Sequence, residues 1–218
     1  MEIWKVIGMK NLDKVEFVWS SDAINARGLE YWDLADIRQL GMDQRKVNML
    51  ARDYLTEIEK KNYKPIMLSQ RTGKPVILSH RMLPGLRKGQ EKMSKSDTSS
   101  AIFMEDDEDE VKEKINKAYC VEGTVEGNPC IEYIKHIIFP WFQEFEVERS
   151  EEHGGNKTFK NLEDLISDYQ SKKLHPGDLK AALAKALNRI LKPVRDHFDN
   201  DPEAKALLEK VKKYNVTK

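Results

Sequence analysis

The stretch Gly89-Gln90-Glu91-Lys92-Met93-Ser94-Lys95-Ser96-Asp97 decides how the rest of the chain is read. Two lysines, two serine hydroxyls and little bulk make a cationic, hydrogen-bonding loop. Such a loop suits a polyphosphate on which negative charge grows during a reaction. A solvated Lys/Ser loop has the same composition, so the flanks must decide between the two.

Upstream, Pro65-Ile66-Met67-Leu68, within 63–69, and Val76-Ile77-Leu78, set off by Gly73-Lys74-Pro75, are short apolar runs. Both predict buried strands, in a parallel sheet or a hairpin. Val15 to Trp19 alternates and predicts a strand, and Ser20-Ser21-Asp22 offers a helix cap after it. A short helix is expected over 2–9. From Asp43 to Lys60 runs a charged amphipathic helix whose apolar stripe is Val47, Leu50, Ala51 and Leu55. His80 to Ser100 reads as loop, rich in Gly, Lys and Ser.

Downstream, the character changes near residue 104. Six consecutive acids, Glu105 to Glu110, suit the positive end of a helix that continues through Val111, Ile115, Ala118 and Tyr119. Cys130 to Phe142 predicts an apolar helix with Pro140 as a late break. A third helix is expected over 161–171. The clearest spans Asp178 to Lys192, where Leu179, Ala182, Leu183, Ala186, Leu187, Ile190 and Leu191 keep helical spacing. Pro193 follows its last basic turn, and 201–213 predicts a terminal helix. The expected architecture is therefore α/β over 1–99, then all-helical over 100–218.

The 218 residues leave room for one large domain or two small ones, and 39% apolar content supplies a core. Charged residues make up 34%, with 37 cations against 37 anions, so bulk electrostatics does not grip nucleic acid. RNA contact would need a local patch; from Asn156 onward 14 Lys/Arg face 9 Asp/Glu. Cys120 and Cys130 are the only cysteines and lack metal-type spacing, which suits a reducing compartment. No leader-like or membrane-length apolar stretch stands out, so a soluble, cytoplasmic protein without membrane association is expected.

Four ordered segments carry a resemblance. They are Asp36-Ile37-Arg38-Gln39-Leu40-Gly41-Met42-Asp43-Gln44-Arg45-Lys46; Pro75 to His80 with Met82-Leu83-Pro84-Gly85-Leu86; Lys92 to Ser96 with Asp97; and Gly154-Gly155-Asn156-Lys157-Thr158 with Leu174-His175-Pro176-Gly177-Asp178-Leu179-Lys180. Together they resemble the archaeal and eukaryotic-type tyrosyl-tRNA synthetases, class I enzymes whose second signature is KMSKS. The likeness covers 1–30 and 34–218. It implies a partial Rossmann-type nucleotide-binding domain, its C-terminal half with the KMSKS loop, followed by a helical anticodon-binding domain.

The resemblance also implies the chemistry. A tyrosine carboxylate attacks the α-phosphate of ATP, pyrophosphate leaves, and the tyrosyl group passes to tRNA(Tyr). Lys92 and Lys95 would neutralise the leaving pyrophosphate, and Ser94 and Ser96 would add hydrogen bonds. Met82, Leu83, Pro84 and Gly85, with Met93, would complete the ATP side. Gly41, Asp43 and Gln44 would shape the tyrosine site. Asp178 would read an anticodon guanine, and His153 would stack on an anticodon base. Mg²⁺ would accompany ATP, and no metal-ligand set is expected from the protein. His136, His197, Tyr133, Trp141 and Phe142 sit at helical spacing and read as surface or core.

The sequence also departs from the family. The five histidines are 80, 136, 153, 175 and 197, so none precedes the loop by more than 12 residues and the HIGH signature has no counterpart. Near residues 30–34 two family segments meet that normally lie a few dozen residues apart. The stretch between them holds the side chains that line the amino-acid pocket. Thr98 stands where proline is usual, and Arg81 where histidine is. The expectation is a tyrosine–tRNA ligase chain that does not complete adenylate formation alone. A non-catalytic tRNA-binding module and one half of a split synthetase remain open. The family's homodimer loses much of its surface in the shortened region.

Overall fold

A computed structural model describes residues 2–15, 22, 37–59, 76–93 and 97–213. Their elements, in chain order, are α1 (Glu2–Val6), a 3₁₀ turn (Leu12–Lys14), β1 (Ile37–Gly41), a 3₁₀ turn (Met42–Gln44), α2 (Arg45–Glu59), β2 (Val76–His80), a 3₁₀ turn (Thr98–Ser100) and α3 (Glu108–Lys117). Then follow α4 (Pro129–Tyr133), a π-helical turn (Ile134–Ile138), α5 (Phe139–Phe142), β3 (Phe145–Val147), a 3₁₀ turn (Glu151–His153), β4 (Lys157–Phe159), α6 (Leu162–Gln170), α7 (Pro176–Asn200) and α8 (Pro202–Lys212). They fall into two compact units, 13–82 and 1–12 with 83–218. The expected strand over 63–69, residues 16–19 of the strand expected over 15–19, and residues 20–21 of the cap at 20–22 fall outside the described residues.

In the 13–82 unit, β1 and β2 pair in parallel, with Ile37 opposite Val76 and Gly41 opposite His80. Val76 to Leu78 is thus a strand of a parallel pair with Ile37–Gly41, but it is not the buried strand expected: Val76 and Leu78 are 47% and 52% exposed. The apolar stripe expected on α2 is corrected at Val47 and Leu50; the side chains of Ala51 and Leu55 lie outside the described residues. Val47 and Leu50 are 45% and 60% exposed, while Asn48 is 1% exposed. The helix packs where β1 and its own first turn hold it, and among its described side chains the inward face runs through Asn48, with Val47 and Leu50 turned away from it.

The other unit holds the core. Val111 and Ile115 of α3, Ile134 and Ile138, Phe145 of β3, Phe159 of β4, Leu165 and Tyr169 of α6, and Leu179 and Leu183 of α7 are each at most 1% exposed. Alternation explains the β-hairpin: Phe145 and Val147 point inward with Phe159 while Glu146 faces out. α3 starts on a capping box, in which Asp107 accepts from Glu110 N and Glu110 from Asp107 N. The acidic run therefore does two jobs. Its Asp106 turns inward, accepting from Phe103 N at 2.9 Å and Lys114 Nζ at 2.6 Å.

Two prolines behave differently from expectation. Pro140 does not break its helix. It lacks an N–H for the carbonyl four residues back, and the turn before it widens to π spacing instead. The helical run ends at Gln143, in the left-handed region with φ 61°. Likewise α7 continues through Pro193 to Asn200. Val194 and Phe198, 0% and 8% exposed, extend the apolar stripe and pack with Ala204, Ile3 and Val6. Arg195 donates to Asn188 O at 3.0 Å, next to the carbonyl that the proline leaves without its helical donor. Packing on both sides outweighs one lost hydrogen bond.

Candidate active site

Gly41 ends β1, and Asp43 and Gln44 occupy the 3₁₀ turn that leads into α2. All three therefore stand at the carboxyl end of a parallel strand, the edge where open α/β sheets bind ligands. Gly41 is buried, and a Cβ there would lie 2.2 Å from Met82 Sδ and 2.7 Å from Asp43 Oδ1. The absence of a side chain thus lets the Met82 thioether lie against the strand end. That brings an expected ATP-side residue to the expected tyrosine side. Gln44 Nε2 donates to Asp43 Oδ2 at 3.4 Å, and both side chains are exposed. One turn on, the buried Asn48 amide has no hydrogen-bond partner at either atom among the described residues, nor does Ser79 Oγ on β2.

The loop at 91–97 is staked at its neck by residues that composition alone does not mark. Gly85 N donates to Gln90 O at 3.0 Å, and Leu86 N to Ser100 O at 2.9 Å. The Gln90 side chain fills the space that a Cβ on Gly85 would need. Across the neck, Arg87 Nη2 donates to Asp97 Oδ1 at 3.2 Å and Ser99 Oγ at 2.7 Å. Ser100 Oγ closes the base on Asp97 O at 2.7 Å. Leu86 is 1% exposed, and Leu83 and Met93 pack on the same core. Lys92 is exposed beside the anchored Met93. Ser94, Lys95 and Ser96 lie outside the described residues.

His153 and Asp178 belong to the unit of 1–12 with 83–218, which the β3–β4 hairpin keeps from being all-helical over 100–218 as expected. His153 ends the turn between β3 and β4, its Nδ1 2.9 Å from Ser150 Oγ. Gly154 and Gly155 follow with φ 92° and 68°, which glycine alone adopts at little cost. Arg149 holds this turn, donating to Gly155 O at 3.1 Å, and reaches Lys173 O at 2.9 Å. Lys173 is two residues before His175, whose Nδ1 caps α7 by accepting from Gly177 N at 3.0 Å. The cap is thus His175, and the half-exposed Asp178 makes no ion pair with the described residues. Arg149 therefore ties the His153 turn to the Asp178 end of α7. Sequence reasoning missed this arginine, because its partners are backbone carbonyls without a pattern.

A hollow of about 550 Å³ runs between α3 and α7 past Lys112, Asn188 and Arg189 and includes none of the expected site residues. No described helix is long and apolar enough to cross a membrane.

Residues 13–192 match the family described as tRNA synthetases class I (W and Y). The chain is 52% identical to cytoplasmic tyrosine–tRNA ligase 1 of Arabidopsis thaliana over 264 aligned residues, covering all of this chain and 66% of that protein. With 218 residues in that alignment, 46 aligned positions have no residue here. It is 37% identical to a tyrosine–tRNA ligase of Saccharolobus islandicus, over 88% of this chain and 54% of the relative. Among solved structures, it is similar to Leishmania major tyrosyl-tRNA synthetase in complex with tyrosinol. There the TM-score is 0.77 and identity 34%, over 98% of this chain and 38% of that one. The chain thus spans about two thirds or less of the relatives it matches.

Proposed function

The chain belongs to the class I tRNA synthetases, on the eukaryotic-type tyrosyl branch, with their mixed helix-and-sheet fold, and on that premise we propose that it serves ATP-dependent activation of tyrosine and transfer of the tyrosyl group to tRNA(Tyr). The division of labour follows the sequence: a nucleotide-binding portion to residue 99 and an anticodon-binding portion from 100. A cytoplasmic setting goes with this reading.

In adenylate formation the tyrosine carboxylate oxygen bonds to the α-phosphorus and the bond to pyrophosphate breaks. Lys92 and Lys95 meet the charge that gathers on the leaving group, with Ser94 and Ser96 donating beside them. Mg²⁺ arrives with ATP as part of the substrate. Met82 to Gly85 and Met93 give the adenine side its apolar contact and close backbone approach. Gly41, Asp43 and Gln44 orient tyrosine. Asp178 accepts from an anticodon guanine, and His153 stacks beside it. The observation that carries the reading is the staked loop. Its neck is fixed by Arg87, Asp97 and Ser100 while Lys92 faces out. That is the build of a closing phosphate clamp.

The HIGH wall of such a site is not among these residues, so the test adds it. Tyrosine-dependent ATP–pyrophosphate exchange is measured on the chain combined with a HIGH-bearing segment of the family. Lys92→Ala should lower the exchange rate about a hundredfold. Equal rates would remove the clamp role.

A further inference from the structure

The hollow between α3 and α7, about 550 Å³, holds none of the residues assigned above and suits one nucleotide-sized ligand. On α7, Ala181, Lys185, Asn188 and Lys192 recur at steps of three and four, so one helical face walls it, with Ala184 and Arg189 beside them. α3 contributes Glu108 and Lys112 from the other side. The alanines keep the middle free of bulk and leave an apolar floor for a flat ring. Asn188 is 7% exposed. Its Nδ2 donates to Glu108 O at 3.2 Å and fixes the amide across the two helices, while its Oδ1 has no donor among the described residues. An enclosed amide oxygen without a donor costs free energy, and an N–H on an occupant would supply one. Arg195 steadies the backbone there, donating to Asn188 O at 3.0 Å and Asp106 O at 3.2 Å.

The rim is cationic. Lys112 pairs with Glu108 at 2.9 Å, Lys185 with Glu148 at 2.5 Å and Lys192 with Asp196 at 2.9 Å. These pairs are exposed and contribute little, so a phosphate can take the place of a carboxylate at small cost. Arg189 differs. It lies over the Phe142 ring, 4.4 Å from the centroid, and makes no ion pair with the described residues. The ring supports the guanidinium plane and leaves its N–H fork for an oxyanion. We propose that this hollow binds a free nucleoside monophosphate whose base carries an amino group. The base lies on the alanine floor and its amine donates to Asn188 Oδ1; Asn188 Nδ2 is already engaged, so the residue reads a donor only. The phosphate meets Arg189, with Lys185 and Lys192 beside it. The site does not depend on the functional reading above.

The test is isothermal titration calorimetry of the chain with AMP and with purine riboside 5′-monophosphate, which is AMP without the amino group. AMP should bind one to one, and the analogue about tenfold more weakly. Arg189→Ala should weaken AMP about tenfold. Ala181→Leu, which fills the floor from an exposed position, should block it, and thermal melting confirms that both variants fold. Lys92→Ala separates this site from the 91–97 loop and should leave AMP binding as it was. The proposal fails if AMP shows no saturable binding up to about 10 mM, or if the two nucleotides bind equally. It also fails if AMP binding survives Arg189→Ala and Ala181→Leu, or is lost in Lys92→Ala.

Discussion

Arg87 and Asp97 face each other across the neck of the 91–97 loop, 3.2 Å apart, with Ser99 hydrogen-bonded to both. Ten residues separate them in sequence, so no helical or strand period brings them together. The pair is exposed on the arginine side, with relative areas of 63% and 32%. Its contribution to global stability is therefore small, and its effect falls on the loop. Arg87→Ala should change unfolding free energy by no more than about 1 kcal/mol while slowing the exchange reaction well beyond that loss. Urea titration of the chain, and exchange kinetics of the chain combined with the HIGH-bearing segment, check this. A parallel loss in both would make Arg87 a general stabiliser.

Asp106 is a different kind of acid. It is 5% exposed, accepts from Phe103 N and Lys114 Nζ, and Lys114 lies over the Phe103 ring at 4.8 Å. Asp106→Ala strands a shielded ammonium and an amide together. A loss of about 3–5 kcal/mol is expected, because the surviving charge keeps its desolvation cost. Denaturant unfolding measures it, and the Asp106→Ala, Lys114→Met double variant should recover part of the loss.

Glu2 sets a pH dependence. Hydrogen bonds from Lys5, then from His197 at 3.0 Å, hold its carboxyl below the usual carboxylate range. A depressed carboxylate contributes stability above its unfolded value, and that contribution fades as pH falls through the folded one. The docking of α1 on α7 and α8 should therefore weaken toward acid, and Glu2→Gln should flatten that part of the profile. Melting temperature from neutral pH down to about pH 3 gives the readout. An unchanged slope would mean that other carboxylates carry it.

The long amphipathic helices were legible because their apolar residues share one neighbour, the core of their own unit. Leu179, Leu183, Leu187 and Leu191 keep spacing that no loop imitates. Residues whose partners are backbone groups or distant side chains were not legible. β1 contains Arg38 and Gln39 and ends in glycine, so nothing in it alternates; pairing with β2 makes it a strand. The β3–β4 hairpin is only three residues a side, too short for its alternation to stand out in the sequence. Pro193 reads as an end because local sequence cannot know that Phe198 is packed. Of the candidate site, the lysines and serines of 92–96 announced themselves by composition. Arg87, Gln90, Ser99 and Arg149, which hold the loops, did not.

The functional reading stands or falls on tRNA selection. Fluorescence titration would compare tRNA(Tyr) with a transcript altered only at the anticodon guanine. The chain should bind the unaltered tRNA about tenfold or more tighter, as expected when a fixed hydrogen-bonding group meets the wrong base. Asp178→Ala should remove that preference while leaving the melting temperature near the parent's. Equal affinity for the two transcripts, or a preference that survives loss of Asp178, would contradict the account.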